Sequence, residues 1–210
     1  MTILETVVVG GGQAGLAVSY FLQQNGNSHV LLVQGRIGES WLSQRWDSFQ
    51  LNTPNLRNVL PGLPYDGPET DGFWRTEKLV HYFHQYIDRF QLPVRTGVTV
   101  LSVKRADDQE GLVVKTRTQD QVEESLTSRS VVVASGIQRI PKFPALRSKL
   151  PAEITQLHTS EYRNSESLPP GAIMVVGGGQ SGCQIAEDLL SAGRTVYLCT
   201  SKVGRVPRRY

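Results

Sequence analysis

Apolar and polar residues alternate between two patterns along the chain. Residues 3–9 (Ile-Leu-Glu-Thr-Val-Val-Val) and 29–33 (His-Val-Leu-Leu-Val) are short, near-continuous apolar runs, the pattern of strands buried on both faces. Between them Leu16, Ala17, Tyr20 and Phe21 recur at helical spacing over 14–24, and Gly26 supplies a stop. This predicts a β-turn-α-β unit, the building block of a doubly wound parallel sheet. The same pattern returns as a strand at 172–176, a helix at 183–192 and a strand at 195–199, with Gly10 and Gly177 standing 167 residues apart. That is an internal duplication rather than a solenoid period.

The intervening chain is less regular. Residues 35–75 are rich in Gly, Pro, Asn, Asp and aromatics and show little periodicity; a loop of that length is usually functional or disordered, and Trp41, Trp46 and Trp74 favour function. Residues 77–91 predict an amphipathic helix with Leu79, Val80, Phe83 and Ile87 on one face. Residues 98–103, 112–118 and 121–127 predict an antiparallel β-meander. Residues 130–134 predict a further buried strand ending at Ser135-Gly136, and the Pro-rich stretch 141–151 a connection. The fold class is α/β. The expected domains are 1–165, built on the first unit, and 166–210, the first β-α-β of a second one.

Composition narrows the class. The 210 residues are 39% hydrophobic and 20% charged, ordinary for a globular chain and unlike a disordered one. No apolar run approaches the roughly 20 residues that span a bilayer, and no signal-peptide pattern opens the chain, so a cytoplasmic protein with no membrane partner is expected. Cys183 and Cys199 form no C-x-x-C and are too few for a structural zinc site, so no metal is expected; both are read as buried small hydrophobes. The net charge of +3 conceals an asymmetry: Arg194, Lys202, Arg205, Arg208 and Arg209 follow residue 193 with no acid among them. They are either a solvated basic end or an anion site. No nucleic-acid motif accompanies them, so no nucleic-acid partner is expected.

Both turns fit G-x-G-x-x-G, through Gly10, Gly12 and Gly15 and through Gly177, Gly179 and Gly182. The first glycine permits the tight turn, the second lets a pyrophosphate approach the backbone, and the third lets helix and strand pack closely. The phosphates then rest on the helix N-terminus, Gln13-Ala14 in one copy and Gln180-Ser181 in the other. A glycine-rich loop that binds nothing is the alternative; two matches, each behind a strand and ahead of a helix, count against it. An acid ending the second strand would accept from the adenosine ribose. Copy one has Gln34 there, which can still hydrogen-bond a hydroxyl. Copy two has Thr200, Ser201 and Lys202, with Arg208 behind, a set suited to a ribose 2′-phosphate and so to NADP.

Two dinucleotide turns in one chain resemble the two-dinucleotide-binding-domain flavoproteins, and several further stretches resemble the flavin-containing monooxygenases of class B. Ile37-Gly38-Glu39-Ser40-Trp41 resembles the family's I-G-G-x-W segment along FAD. Leu51-Asn52-Thr53-Pro54-Asn55 resembles the segment with the active-site asparagine. Val133-Ala134-Ser135-Gly136 resembles A-T-G. His158-Thr159-Ser160-Glu161-Tyr162 resembles the H-x-x-x-Y part of the monooxygenase fingerprint. The chain departs from the family at Gln34, at Glu39 and at 152–154, where Ala-Glu-Ile stands for F-x-G.

The resemblance implies a FAD/NAD(P)-binding Rossmann-like domain over 1–165 and a partial NADP-binding domain over 166–210. It implies FAD held by Gly10, Gly12, Gln13, Ala14, Gly15, Gln34, Gly38, Trp41, Val100, Ala134, Ser135 and Gly136. NADPH falls to Gly177, Gly179, Gln180, Ser181, Gly182, Ser201, Lys202 and Arg208. The implied reaction inserts one oxygen atom of O2, through a flavin C4a-hydroperoxide, into a small nucleophilic nitrogen or sulfur compound or a ketone. Family members run to about twice this length, which implies a missing C-terminal half or a homo-oligomer. Asn52 is the catalytic candidate, an amide able both to donate and to accept beside the flavin; a turn residue is the alternative. His158 reads as a structural linker histidine or as the fingerprint's coupling residue. A FAD-dependent reductase or oxidase without oxygen insertion, and a non-catalytic nucleotide-binding fragment, are the competing functions.

Overall fold

The computed structural model describes residues 3–106, 110–137 and 140–201. In chain order the elements are β1 (Leu4–Val9), α1 (Gln13–Gln24), β2 (His29–Val33), the short α2 (Glu39–Ser43), α3 (Thr76–Phe90), β3 (Val94–Thr96), β4 (Val98–Arg105), β5 (Leu112–Thr118), β6 (Glu123–Val133), β7 (Ile173–Val176), α4 (Gln180–Ser191) and β8 (Val196–Cys199). They form two compact units. One comprises residues up to 42 together with 53–140, the other 43–52 together with the chain from 141.

The first unit is built on a six-stranded sheet in the order β3-β2-β1-β6-β5-β4. β1 lies parallel to β2, with Val7 opposite Val30, and parallel to β6, with Val7 opposite Val131. β2 and β3 are parallel as well, while β4, β5 and β6 are antiparallel neighbours. The apolar runs seen in the sequence are the central strands: Val7, Val8 and Leu31 are fully buried and Leu32 almost so. Burial of each such side chain contributes about 1.5–3 kcal/mol. α1 turns Leu16 and Ser19 inward. It meets α3 through aromatics, Tyr20 lying 5.8 Å from Tyr86 and 4.7 Å from Phe90 between ring centroids. One buried polar pair joins α1 to β2. His29 donates from Nδ1 to the Asn27 carbonyl at 2.9 Å, which leaves Nε2 to accept from the Ser19 hydroxyl at 2.8 Å.

The structure revises the predicted strands. The third meander strand and the following buried strand are one element, β6. Its first part pairs antiparallel with β5 and its last part parallel with β1, the change occurring at Ser128, which is paired with both Leu112 and Leu4. The mostly polar stretch 123–128, with Leu126 its one apolar residue, and the apolar run of 131–133 therefore report two neighbourhoods along one strand. β3 lacks a signal of its own: three residues between Pro93 and Gly97 are too few to show a period.

The second unit holds β7 and β8, parallel and in register from Ile173–Val196 to Val176–Cys199, with α4 against them. Trp46, Tyr162, Ile185 and Leu189 form its core, and Phe49, Leu168, Ile173, Val175 and Val196 pack around it. Segment 43–52 thus belongs to this unit, although it lies far ahead of it in sequence. The compact units divide the chain at 140/141, whereas the two nucleotide-binding roles were divided at 165/166. Cys183 and Cys199 are both exposed, contrary to the expectation. α4 buries Gly182, Ile185, Ala186 and Leu189, and Cys183 points off that face. Cys199 ends the outer strand of a two-stranded sheet. Among the described residues no helix is long and apolar enough to cross a membrane.

Candidate functional site

The first glycine turn is shaped by its neighbours on β2 and β6. The Gly10 N–H donates to Leu32 at 2.9 Å, and Ala134 N–H donates to Val9 at 2.7 Å. Gly10 takes φ +118°, and a Cβ on it would collide with the Ala134 carbonyl; both facts demand glycine. A Cβ on Gly15 would collide with the Gly10 carbonyl itself. Gly12 is different, because a Cβ there would meet no atom within 4 Å. Neither φ (−98°) nor packing requires glycine at this position. What the position does provide is unhindered access to the start of α1.

That start is uncapped. Gly12 supplies no side-chain cap, and the first turn of α1 contains no acid. The first N–H groups of the helix therefore lack side-chain partners and carry the positive end of its dipole. An open glycine ahead of free donors is the arrangement a pyrophosphate fits.

The second turn repeats the geometry. Gly177 also takes φ +118°, its N–H donates to Cys199 at 2.8 Å, and a Cβ on Gly182 would collide with the Gly177 carbonyl. A Cβ on Gly179 would again meet nothing within 4 Å, and α4 again starts without a side-chain cap or an acid. The turns differ at Gly177, where an added Cβ meets no atom within 4 Å; among the described residues β7 has no neighbour corresponding to β6.

Around the first turn the structure gathers most of the predicted residues. Gln13 and Ala14 are exposed at the head of α1, Gln34 is exposed at the end of β2, and Ser135 and Gly136 are exposed just past β6. The Gly38 N–H donates to Gly11 at 3.2 Å, and the Trp41 N–H donates to Gly38 at 2.8 Å. Arg36 and Glu39 form a bidentate pair at 2.9 and 3.0 Å in this loop, raising the arginine pKa; Glu39 thus fastens the loop in which the resembling family has glycine.

Two predicted residues lie elsewhere. Val100 sits on β4 and packs against the core of Val7, Val30, Leu32, Val98 and Val114. Asn52 ends the segment that belongs to the second unit. Near the second turn, Gln180, Ser181 and Ser201 are exposed, while Lys202 and Arg208 lie outside the described residues. His158 is engaged locally. Its Nδ1 accepts from the Ser160 N–H at 3.2 Å, its ring lies 5.6 Å from that of Phe143, and its N–H donates to Glu161 at 2.6 Å.

Sequence reasoning passed over one cluster. Asp188 of α4 accepts from the Ser48 hydroxyl through Oδ1 and from the buried Tyr162 hydroxyl through Oδ2, both at 2.5 Å. Burial, followed by the hydrogen bond and charge of Asp188, raises the Tyr162 pKa above the ordinary tyrosine value. The available signal was an acid set between Ile185 and Leu189 on the apolar side of the helix. A cavity of about 730 Å³ also opens beside α3, lined by Asn55, Tyr65, Trp74, Lys78 and Tyr82 among others, and none of the predicted site residues lines it.

Comparison with known proteins agrees with this geometry. Residues 7–208 match the family model described as pyridine nucleotide-disulphide oxidoreductase. The chain is 34% identical over 204 residues to the protein of Bacillus subtilis (strain 168) named "Uncharacterized oxidoreductase CzcO", covering 97% of this chain and 56% of that protein. It is 32% identical over 211 residues to "Probable indole-3-pyruvate monooxygenase YUCCA10" of Arabidopsis thaliana, covering 98% of this chain and 53% of that one. Among solved structures, the flavin-containing monooxygenase from Stenotrophomonas maltophilia superposes with a TM-score of 0.80 at 28% identity, over 97% of this chain and 59% of the other. The chain thus spans about half the length of the curated relatives it matches.

Proposed function

The chain belongs to the pyridine nucleotide-disulphide oxidoreductase family, and from that premise we propose that it is a FAD-dependent, NADPH-using monooxygenase, or the nucleotide-binding part of one, acting on a small nitrogen or sulfur nucleophile or a ketone. The observation that carries this reading is the duplicated turn, in which Gly12 and Gly179 stand open ahead of two uncapped helices. The similarity to monooxygenases from Stenotrophomonas maltophilia and Arabidopsis thaliana supports the reaction class.

In this reading FAD takes the first turn. The N–H groups of Gln13 and Ala14 would hold its phosphates and Gln34 its ribose, with Gly38, Trp41 and Ala134–Gly136 at the same turn; Val100, packed in the core from β4, is not among the residues gathered there. NADPH takes the second turn, with Gln180 and Ser181 at its phosphates and Ser201, Lys202 and Arg208 at its 2′-phosphate. When bound, the two cofactors supply the redox and oxygen chemistry. The chain's own residues would bind and orient them, and the Asn52 side-chain amide can both donate and accept toward a polar oxygen or the nicotinamide carboxamide.

The test is to add FAD and NADPH to the purified chain, supply isotopically labelled O2 and candidate amines, sulfides and ketones, and follow the label by mass spectrometry. Label in the product supports a monooxygenase. NADPH consumption with hydrogen peroxide and no labelled product would make it a reductase or oxidase. A chain that is colourless after FAD addition and removal of the unbound flavin would remove the reading altogether.

A further inference from the structure

Segment 43–52 is held to the second unit by more contacts than a connecting loop needs. Trp46 is buried against Ile185 and Leu189. Gln184 donates from Nε2 to the Gln50 carbonyl at 3.2 Å. The Asp47 N–H donates to Arg163 at 2.9 Å, and Asn164 donates to the Asp47 carboxylate at 2.7 Å. Arg163 reaches the carbonyls of Arg45 and Ser43. At the centre is Asp188, whose two oxygens take the hydroxyls of Ser48 and Tyr162.

The contacts on α4 fall at 184, 185, 188 and 189, one face of the helix by its 3.6-residue period. That helix begins at the second glycine turn. Asp188 lies eight residues beyond Gln180, about 12 Å along the axis, too far to touch a phosphate at the helix start. Among the described residues no cation pairs with it at salt-bridge distance. Apolar packing such as that of Trp46 would attach the segment without a carboxylate. What the carboxylate adds is geometry: one short charge-assisted hydrogen bond fixes Ser48 of the segment against the helix, and a second fixes Tyr162, which shares the core of Trp46.

We infer that Asp188 is a positioning residue, which ties the segment ending in Asn52 to the nucleotide-binding helix so that an occupied second glycine turn orders both together. The inference rests on the reading of that turn as the NADP site. It makes Asn52 part of the pyridine-nucleotide unit, and its placement responsive to NADP binding rather than fixed by the first unit.

Hydrogen exchange with and without NADP+ tests it, alongside direct measurement of NADP+ affinity by calorimetry. NADP+ is expected to slow exchange at the Asp47 and Phe49 amides of the parent chain by about tenfold. Asp188→Ala should bind NADP+ within a factor of about three of the parent and lose that slowing. Ser48→Ala, which removes a single hydroxyl from an exposed position, should lose part of it, and Ser48→Thr should retain it. A parent that binds NADP+ with no slowing at these amides overturns the inference while leaving the NADP site in place. So does an Asp188→Ala chain in which the nucleotide still slows them, since Asp188 would then be structural only. A parent with no NADP+ affinity overturns the site assignment, and this inference with it.

Discussion

The carbonyl oxygen of Gly10 occupies the space that a side chain on Gly15 would need, and Gly177 and Gly182 stand in the same relation. The third glycine of each turn is therefore required by the protein's own backbone, whereas the second is not. Gly15→Ala should force the turn open and cost the first unit about 1–3 kcal/mol or more, as overpacking does. Urea unfolding should show the midpoint falling with the m-value unchanged.

Gly12→Ala should behave in the opposite way. Its methyl group meets no protein atom, so the unfolding midpoint should stay close to that of the parent. The same methyl stands where a pyrophosphate must approach the start of α1, so FAD affinity should fall by at least about tenfold. A titration followed by flavin fluorescence measures it, and a variant that holds flavin as tightly as the parent removes the first turn as the FAD site. Gly179→Ala should do the same to NADPH.

The second site should prefer NADPH to NADH, because Ser201-Lys202 and Arg208 offer a hydroxyl and cations where an NAD site has an acid. Lys202→Glu should weaken NADPH binding more than NADH binding and remove part of its salt dependence. Equal losses for both nucleotides would show that Lys202 does not meet the 2′-phosphate.

The glycine turns were legible because their requirements are local. The strand before, the helix after and the three glycines lie within residues 4–24 in one copy and 173–191 in the other, and each constraint leaves a mark in the sequence. The role of 43–52 was not legible for the converse reason. Trp46 and Ser48 are placed by Ile185, Asp188 and Leu189, about 140 residues away, and nothing in the local pattern of Arg-Trp-Asp-Ser-Phe indicates that partner. The sequence of β6 reads as two strands because its polar first part and apolar last part follow different neighbours, which change at Ser128. The exposure of Cys183 is not legible because a small apolar side chain does not indicate which side of α4 it will take, and that of Cys199 because it depends on what covers β8.

Alkaline stability should decline from about pH 10 upward. Burial raises the pKa values of Tyr82, Tyr86 and Tyr162 above the unfolded value near 10, with neighbouring tyrosines adding to the shift at Tyr86. Above that pH the unfolded chain releases protons that the folded chain retains. Unfolding is then favoured by up to about 1.4 kcal/mol per pH unit for each such group, while below pH 10 both states keep them and the contribution is intact. Tyr86→Phe should flatten this limb. It should also cost about 1 kcal/mol at neutral pH through the lost 2.6 Å bond to the Pro61 carbonyl. Urea titrations from pH 8 to about pH 10.5 would show both effects.

β7 should exchange its amide hydrogens faster than β1, although the two strands open equivalent units. β1 is flanked by β2 and β6, and its Val7 and Val8 are fully buried. Among the described residues β7 pairs with β8 alone; its Ile173 and Val175 face the Trp46 core, while Met174 and Val176 are 63% and 69% exposed. Opening β7 thus breaks one ladder and half an apolar surface, whereas opening β1 breaks two ladders and a core buried on both sides. Amide protection across 173–176 should consequently be lower than across 4–9, and Trp46→Ala should lower the former by about 3–5 kcal/mol through loss of the buried indole, leaving the latter unchanged. Equal protection of the two strands in a verified monomer would show that the contacts from 43–52 and α4 make the second unit as stable as the first.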